Sequence, residues 1–129
     1  MFESASSFNQ DISAWVVQKS VTNMAWMFKK ASAFNQDISE WDTSGVTTMK
    51  DMFGYASSFN QDISEWRIDS VTNMRRMFNQ ASAFDQDLGW CLDRGVETWG
   101  MFKDAACTLR SCNVRVRPPL APGGGCALV

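Results

Sequence analysis

A 25-residue phrase recurs four times along this chain, and no other feature limits its folding so strongly. The phrase is FNQDIS-x-W, a short turn, then VTxM-xx-MF-xx-A. It starts at Phe8, Phe34, Phe59 and Phe84, at spacings of 26, 25 and 25 residues. Self-similarity at a fixed period of roughly 20 to 50 residues marks units that bury their apolar faces only by stacking on neighbours. The sequence therefore predicts a repeat solenoid, leucine-rich-repeat-like, of about four coils and a C-terminal cap.

Aligned copies give columns. The apolar ones are Phe8, Phe34, Phe59 and Phe84; Ile12, Ile38, Ile63 and Leu88; and Trp15, Trp41, Trp66 and Trp90. Val21, Val46, Val71 and Val96 follow, then Met24, Met49, Met74 and Trp99, the Met-Phe pairs ending at Phe28, Phe53, Phe78 and Phe102, and the small residues Ala31, Ala56, Ala81 and Ala105. Burying one such large side chain contributes roughly 1.5–3 kcal/mol, so these columns are read as core. Residues 35–39 and 46–49 read as short extended pieces that pair in parallel between coils. Met-x-x-Met-Phe has the spacing of a single helical or 3₁₀ turn. The positions between the Met columns, Ala25-Trp26, Lys50-Asp51 and Arg75-Arg76, vary in character and are placed in solvent, with Trp26 a candidate contact residue.

Composition narrows function. With 129 residues, 45% hydrophobic and a formal charge of −2, the chain has material for one elongated core and no overall basic excess to suggest nucleic-acid binding. It contains no histidine. That removes Ser-His and Cys-His nucleophilic arrangements and the commonest general base. The carboxylates form a regular row instead of two acids flanking one cleft. The expectation is a non-enzymatic protein that needs no cofactor, and no transmembrane segment is evident.

Polar columns lie beside the core. Asn35, Asp37, Ser39, Asn60, Asp62 and Ser64 are predicted to form a rigid, repeated binding face. The Gln column (Gln10, Gln36, Gln61, Gln86) is predicted to face inward and to join coils through amide hydrogen bonds. Stacked carboxylates at Asp11, Asp37, Asp62 and Asp87 repel one another, and either turn N–H groups or a divalent cation would offset that repulsion. A weak calcium ladder is thus one alternative. A short threonine row, Thr22, Thr47 and Thr72, raises a weak ice-binding alternative, and a purely structural spacer is a third.

Cys91, Cys107 and Cys112 cluster at the end of the last repeat. A disulfide from Cys91 to Cys107 or Cys112 would pin a cap there and fits an oxidising compartment; three reduced, buried thiols are the alternative. After Val114 the chain turns rich in Pro and Gly and reads as a flexible tail. Its last four residues, from Cys126, match the C-a-a-X prenylation pattern in form, which we read as coincidental. The expected organisation is 1–90 repeats with an incomplete first coil, 91–114 last coil and cap, and 115–129 tail.

The units FNQDISEWDTSGVTTMKDMF (34–53) and FNQDISEWRIDSVTNMRRMF (59–78) resemble the 25-residue repeat of BspA-like leucine-rich-repeat surface proteins, a repeat also familiar in mycoplasmal lipoproteins and marine microalgal proteins. The resemblance covers about residues 1–114, and the Cys-containing ending is similar to that of the microalgal members. It implies surface display, adhesion and protein–protein interaction, with no catalytic residues to carry over. The partner would be a protein or glycan on another surface, with no nucleic acid involved. Because Met1-Phe2 already falls in register as a repeat's Met-Phe, the chain is expected to derive from a longer secreted or cell-surface precursor, with possible end-to-end self-association through its first coil.

Overall fold

A computed structural model describes residues 1–117 and 126. The leucine-rich-repeat-like solenoid of parallel strands and helical turns is not what the chain forms. Among the described residues there is no helix, and the only strands are β1 (Cys91–Leu92) and β2 (Arg115–Val116), joined as one parallel pair. Turns, bends and irregular backbone make up the rest.

The reason lies in the Met-x-x-Met-Phe segment. Its i, i+3 spacing is that of two consecutive tight turns, each with a left-handed residue, which a helix does not allow. Met27 N–H donates to the Met24 carbonyl and Ala31 N–H to Phe28. The third residues of these turns, Trp26 and Lys30, have φ of 60° and 61°. A β-turn with positive φ at its third position alone is of type II. The pattern recurs at Asp51 and Tyr55, and at Arg76 and Gln80.

This backbone sends alternate amides in different directions. Met49, Asp51, Phe53 and Tyr55 donate to Asn73, Arg75, Met77 and Asn79 of the next copy, while Met52 and Gly54 close the local turns. Copies are thus joined by turn amides, where a strand ladder was expected. The 46–49 segment contributes single parallel bridges, Asn23 to Thr48, Thr48 to Asn73 and Asn73 to Glu97. In the 35–39 segment even that is missing, because a side chain takes the place of the pairing carbonyl, as described below.

The apolar columns form the core, except at Trp99, which was read as core and is mostly exposed. Phe28–Phe34, Phe53–Phe59 and Phe78–Phe84 stack across the junctions from one copy to the next in sequence, at 4.0–4.1 Å between centroids. Each ring also stacks on its counterpart one copy away, at 5.6 Å for Phe28–Phe53 and 5.9 Å for Phe34–Phe59. Ile38, Ile63, Met49, Met52, Met74 and Met77 fill the remaining space, fully buried. The indoles of Trp41 and Trp66 are buried and donate to the carbonyls of Ile12 and Ile38. Trp15, the first member of this column, is 45% exposed. Gly45 is required by close approach, since a Cβ there would run into the Lys19 carbonyl oxygen.

The expected Cys91 bridge to Cys107 or Cys112 is corrected. Cys91 pairs with Cys126, and Cys107 with Cys112 five residues away. The terminal segment closes over the last copy through Leu88 N–H to Cys112 and Arg115 N–H to Trp90. The remainder of the expected tail, 118–125 and 127–129, lies outside the described residues, including three positions of the C-a-a-X pattern. The sulfur that prenylation would require is the one bonded to Cys91.

Candidate functional site: two faces of opposite charge

The repeat writes two different surfaces onto the two sides of its phenylalanine core. The FNQDIS-x-W segments, 8–15, 34–41, 59–66 and 84–90, hold seven acidic residues and no basic one. The turn segments, 24–31, 49–56, 74–81 and 99–105, hold six basic residues and two acidic ones. A formal charge of −2 conceals this division.

On the acidic side the Asn column is a structural rung. Asn9 Oδ1 accepts both the backbone N–H of Asn35 and the Gln36 amide, at 2.9 and 3.1 Å. Asn35 does the same for Asn60 and Gln61, and Asn60 for Asp85 and Gln86. Each Gln amide also donates to the preceding copy's Asn carbonyl. Asn35 and Asn60, expected to meet a partner, therefore have their side-chain oxygens engaged between copies. The Gln side chains are half-exposed or exposed, where an inward orientation was expected.

The Asp column is held by its own turns. Asp11, Asp37 and Asp62 each accept the backbone N–H of the serine two residues on, at 2.9 Å. The Ser39 hydroxyl first, and its N–H second, hold the Asp37 carboxyl below its ordinary value of 3.8, against smaller opposing effects of burial and of Asp11 and Asp62 on either side. Asp11 and Asp62 are lowered in the same way by Ser13 and Ser64. Asp87, which has glycine two residues on, accepts from the Asn113 side chain instead, at 3.0 Å. Between the second and third copies, Asp37, Ser39, Glu40, Gln61, Asp62 and Glu65 line a shallow depression of about 310 Å³.

Metal-ligand types come together elsewhere. Among the described residues, the group whose ligand atoms lie within 4.8 Å of one another is Asp85, Cys107 and Cys112. Both of its sulfurs are joined in a disulfide, so it offers no thiolate. In the threonine row, the Thr47 and Thr72 hydroxyls donate to the carbonyls of Thr22 and Thr47.

On the basic side, Asp51 sits where solvent was expected and is 1% exposed. Lys29 Nζ lies 3.6 Å from Oδ1, and Arg76 Nη2 lies 3.2 Å from Oδ2. One buried carboxylate thus fixes a cation from the copy on each side. Lys50 extends over the Trp26 ring, and Arg75 and Arg76 over that of Trp99. These indoles are 40% and 64% exposed.

Residues 1–113 match the family described as "Mycoplasma protein of unknown function, DUF285". The chain belongs to that family. No curated protein and no solved structure matches it. The DUF285 description carries no activity, so function has to be argued from these two faces. In this DUF285 chain no described helix is long and apolar enough to cross a membrane. The one site residue that inspection of single columns misses is Asp51. Its signal was present across columns, in a lone acid set between Lys29 and Arg76 of the flanking copies.

Proposed function

We propose that this DUF285 chain is a non-enzymatic binding or adhesion module of a surface or secreted protein, related to BspA-like surface repeats. It engages a partner through the acidic face. The supporting observation is the row of exposed carboxylates repeated at one-copy spacing, Asp37 and Glu40 beside Asp62 and Glu65, set on turns held by Ser39 and Ser64. Asn35 and Asn60 join the copies beside this row and keep its spacing. A partner with basic side chains, on another cell or matrix surface, complements it. Two disulfides fit an oxidising compartment.

Beads coated with the whole chain should adhere to cell or matrix-protein layers. The double variant Glu40→Lys, Glu65→Lys should abolish that adhesion while the melting midpoint stays unchanged. Adhesion no greater than that of albumin-coated beads would instead favour a spacer that displays other segments.

A further inference from the structure

The opposite face has its own construction. Trp26 and Trp99 stand three copies apart, with Lys50, Arg75 and Arg76 between them. Successive copies are 5.6–5.7 Å apart at the underlying Phe28–Phe53–Phe78 stack, so this basic strip advances in steps of that size. It is anchored as well as charged. Asp51 is buried and ion-paired to Arg76, whose side chain also lies against Gly100, where a Cβ would meet Arg76 Cγ at 3.1 Å. Arg75 is held between Glu97 at 3.6 Å and the Trp99 ring.

We propose that this face binds an acidic polysaccharide, a chain of uronate or sulfated sugars laid across the copies from Trp26 to Trp99. The inference deepens the binding-module reading, on which it rests, by adding a second face and a ligand chemistry. Three features select that chemistry. The ligand must be extended, because the cations are distributed over successive copies with no single pocket among them. It must carry anions at intervals similar to the copy spacing, as a polymer with one acid group per sugar does. It must also offer apolar ring faces, since exposed indoles bury C–H surface well and are enriched at binding hot spots. Duplex nucleic acid carries one charge per about 1.7 Å of axis, far denser than these rows. A second copy's acidic face is a poorer occupant, because the exposed side chains it presents, Asp37, Glu40, Asp62 and Glu65, offer no ring face to the indoles.

The test uses the whole oxidised chain and affinity columns of heparin (sulfated), alginate (uronate only) and neutral dextran, with polydeoxythymidine as the nucleic-acid comparison. Retention is expected on at least one acidic polysaccharide, weakening as salt rises, with none on dextran. Heparin alone would identify sulfate as the recognised group, and both columns would identify acid groups in general. Lys50→Glu with Arg75→Glu should weaken binding by about tenfold or more, as expected when charge contacts to a polyanion are reversed. Trp99→Ala should weaken it severalfold, and because that side chain is exposed it carries the test if the double variant does not fold. Glu40→Lys, Glu65→Lys should leave binding in place. The inference is overturned by no retention on either acidic polymer, by retention that survives both basic-face variants, or by tighter binding of polydeoxythymidine than of both polysaccharides at equal salt. Bead adhesion through the acidic face without polymer retention would remove this inference alone.

Discussion

At the scale of single residues, the side chain that organises the repeat is the asparagine after each phenylalanine. Asn35 gives its one oxygen to two donors of the next copy, Asn60 N–H and the Gln61 amide. Asn35→Ala removes the acceptor of both bonds, and we expect a loss of about 1–3 kcal/mol in urea unfolding. Asn35→Asp keeps the acceptor and should stay near wild type, as the chain itself places Asp85 in this column. The aspartates two residues on make a pH prediction. Their carboxyls are lowered by the serine hydroxyls and N–H groups of the folded turns. A depressed folded value stabilises the protein at pH values above the ordinary 3.8 and is lost as pH falls below it through the folded values. Thermal midpoints should therefore drop on acidification below about pH 4, and the drop should be shallower in Asp37→Asn, Asp62→Asn. An identical acid profile in that variant would show that these turns do not couple to folding.

At the scale of elements, the double turn replaces the helical turn, and its left-handed residues account for the difference. Spacing alone does not distinguish the two, because Met24, Met27 and Phe28 meet the core equally well from a helix or from consecutive turns. The usual marker of positive φ is glycine, and here the positions are filled by Trp26, Lys30, Asp51, Tyr55, Arg76 and Gln80. Glycine fills the equivalent place in the fourth copy, Gly100 at φ 66° in the turn that Met101 N–H closes on Thr98, but its absence from the first three hid the turns, whereas the apolar columns were legible because burial follows period directly. A non-glycine residue in the left-handed region costs roughly 1–2 kcal/mol relative to the right-handed one. Lys30→Gly should accordingly melt at or above wild type, and Lys30→Val, β-branched and strained at φ 61°, clearly below it. The strands failed for a related reason. The Asn side chain is read as polar surface in a single copy, and its role appears only when the next copy's N–H is placed beside it.

At the scale of the whole molecule, rigidity comes from the continuous phenylalanine stack and the two cross-links at its end. Phe53 touches Phe28, Phe59, Trp66 and Phe78. Its replacement by alanine should cost about 3–5 kcal/mol and disturb both charged faces together. The disulfides differ in span, 35 residues for Cys91–Cys126 and 5 for Cys107–Cys112. Chain-entropy reasoning then assigns about 4 kcal/mol to the first and about 2 to the second, so Cys91→Ala should lower the midpoint more than Cys107→Ala with Cys112→Ala. Of the candidate surfaces, the acidic row could be found in the columns. The cations of the opposite face, Lys29, Lys30, Arg75 and Arg76, read as a solvated charged surface, because they sit where residues change identity from copy to copy and because the formal charge sums the two faces nearly to zero. The most direct test of the account is native-state hydrogen exchange on the intact, oxidised chain. It predicts that the amides of Asp51, Phe53, Tyr55 and Asn60, which all donate between copies, are strongly protected and exchange together at the free energy of global unfolding. Exchange of Asp51 and Tyr55 at the rates of exposed peptide would contradict it.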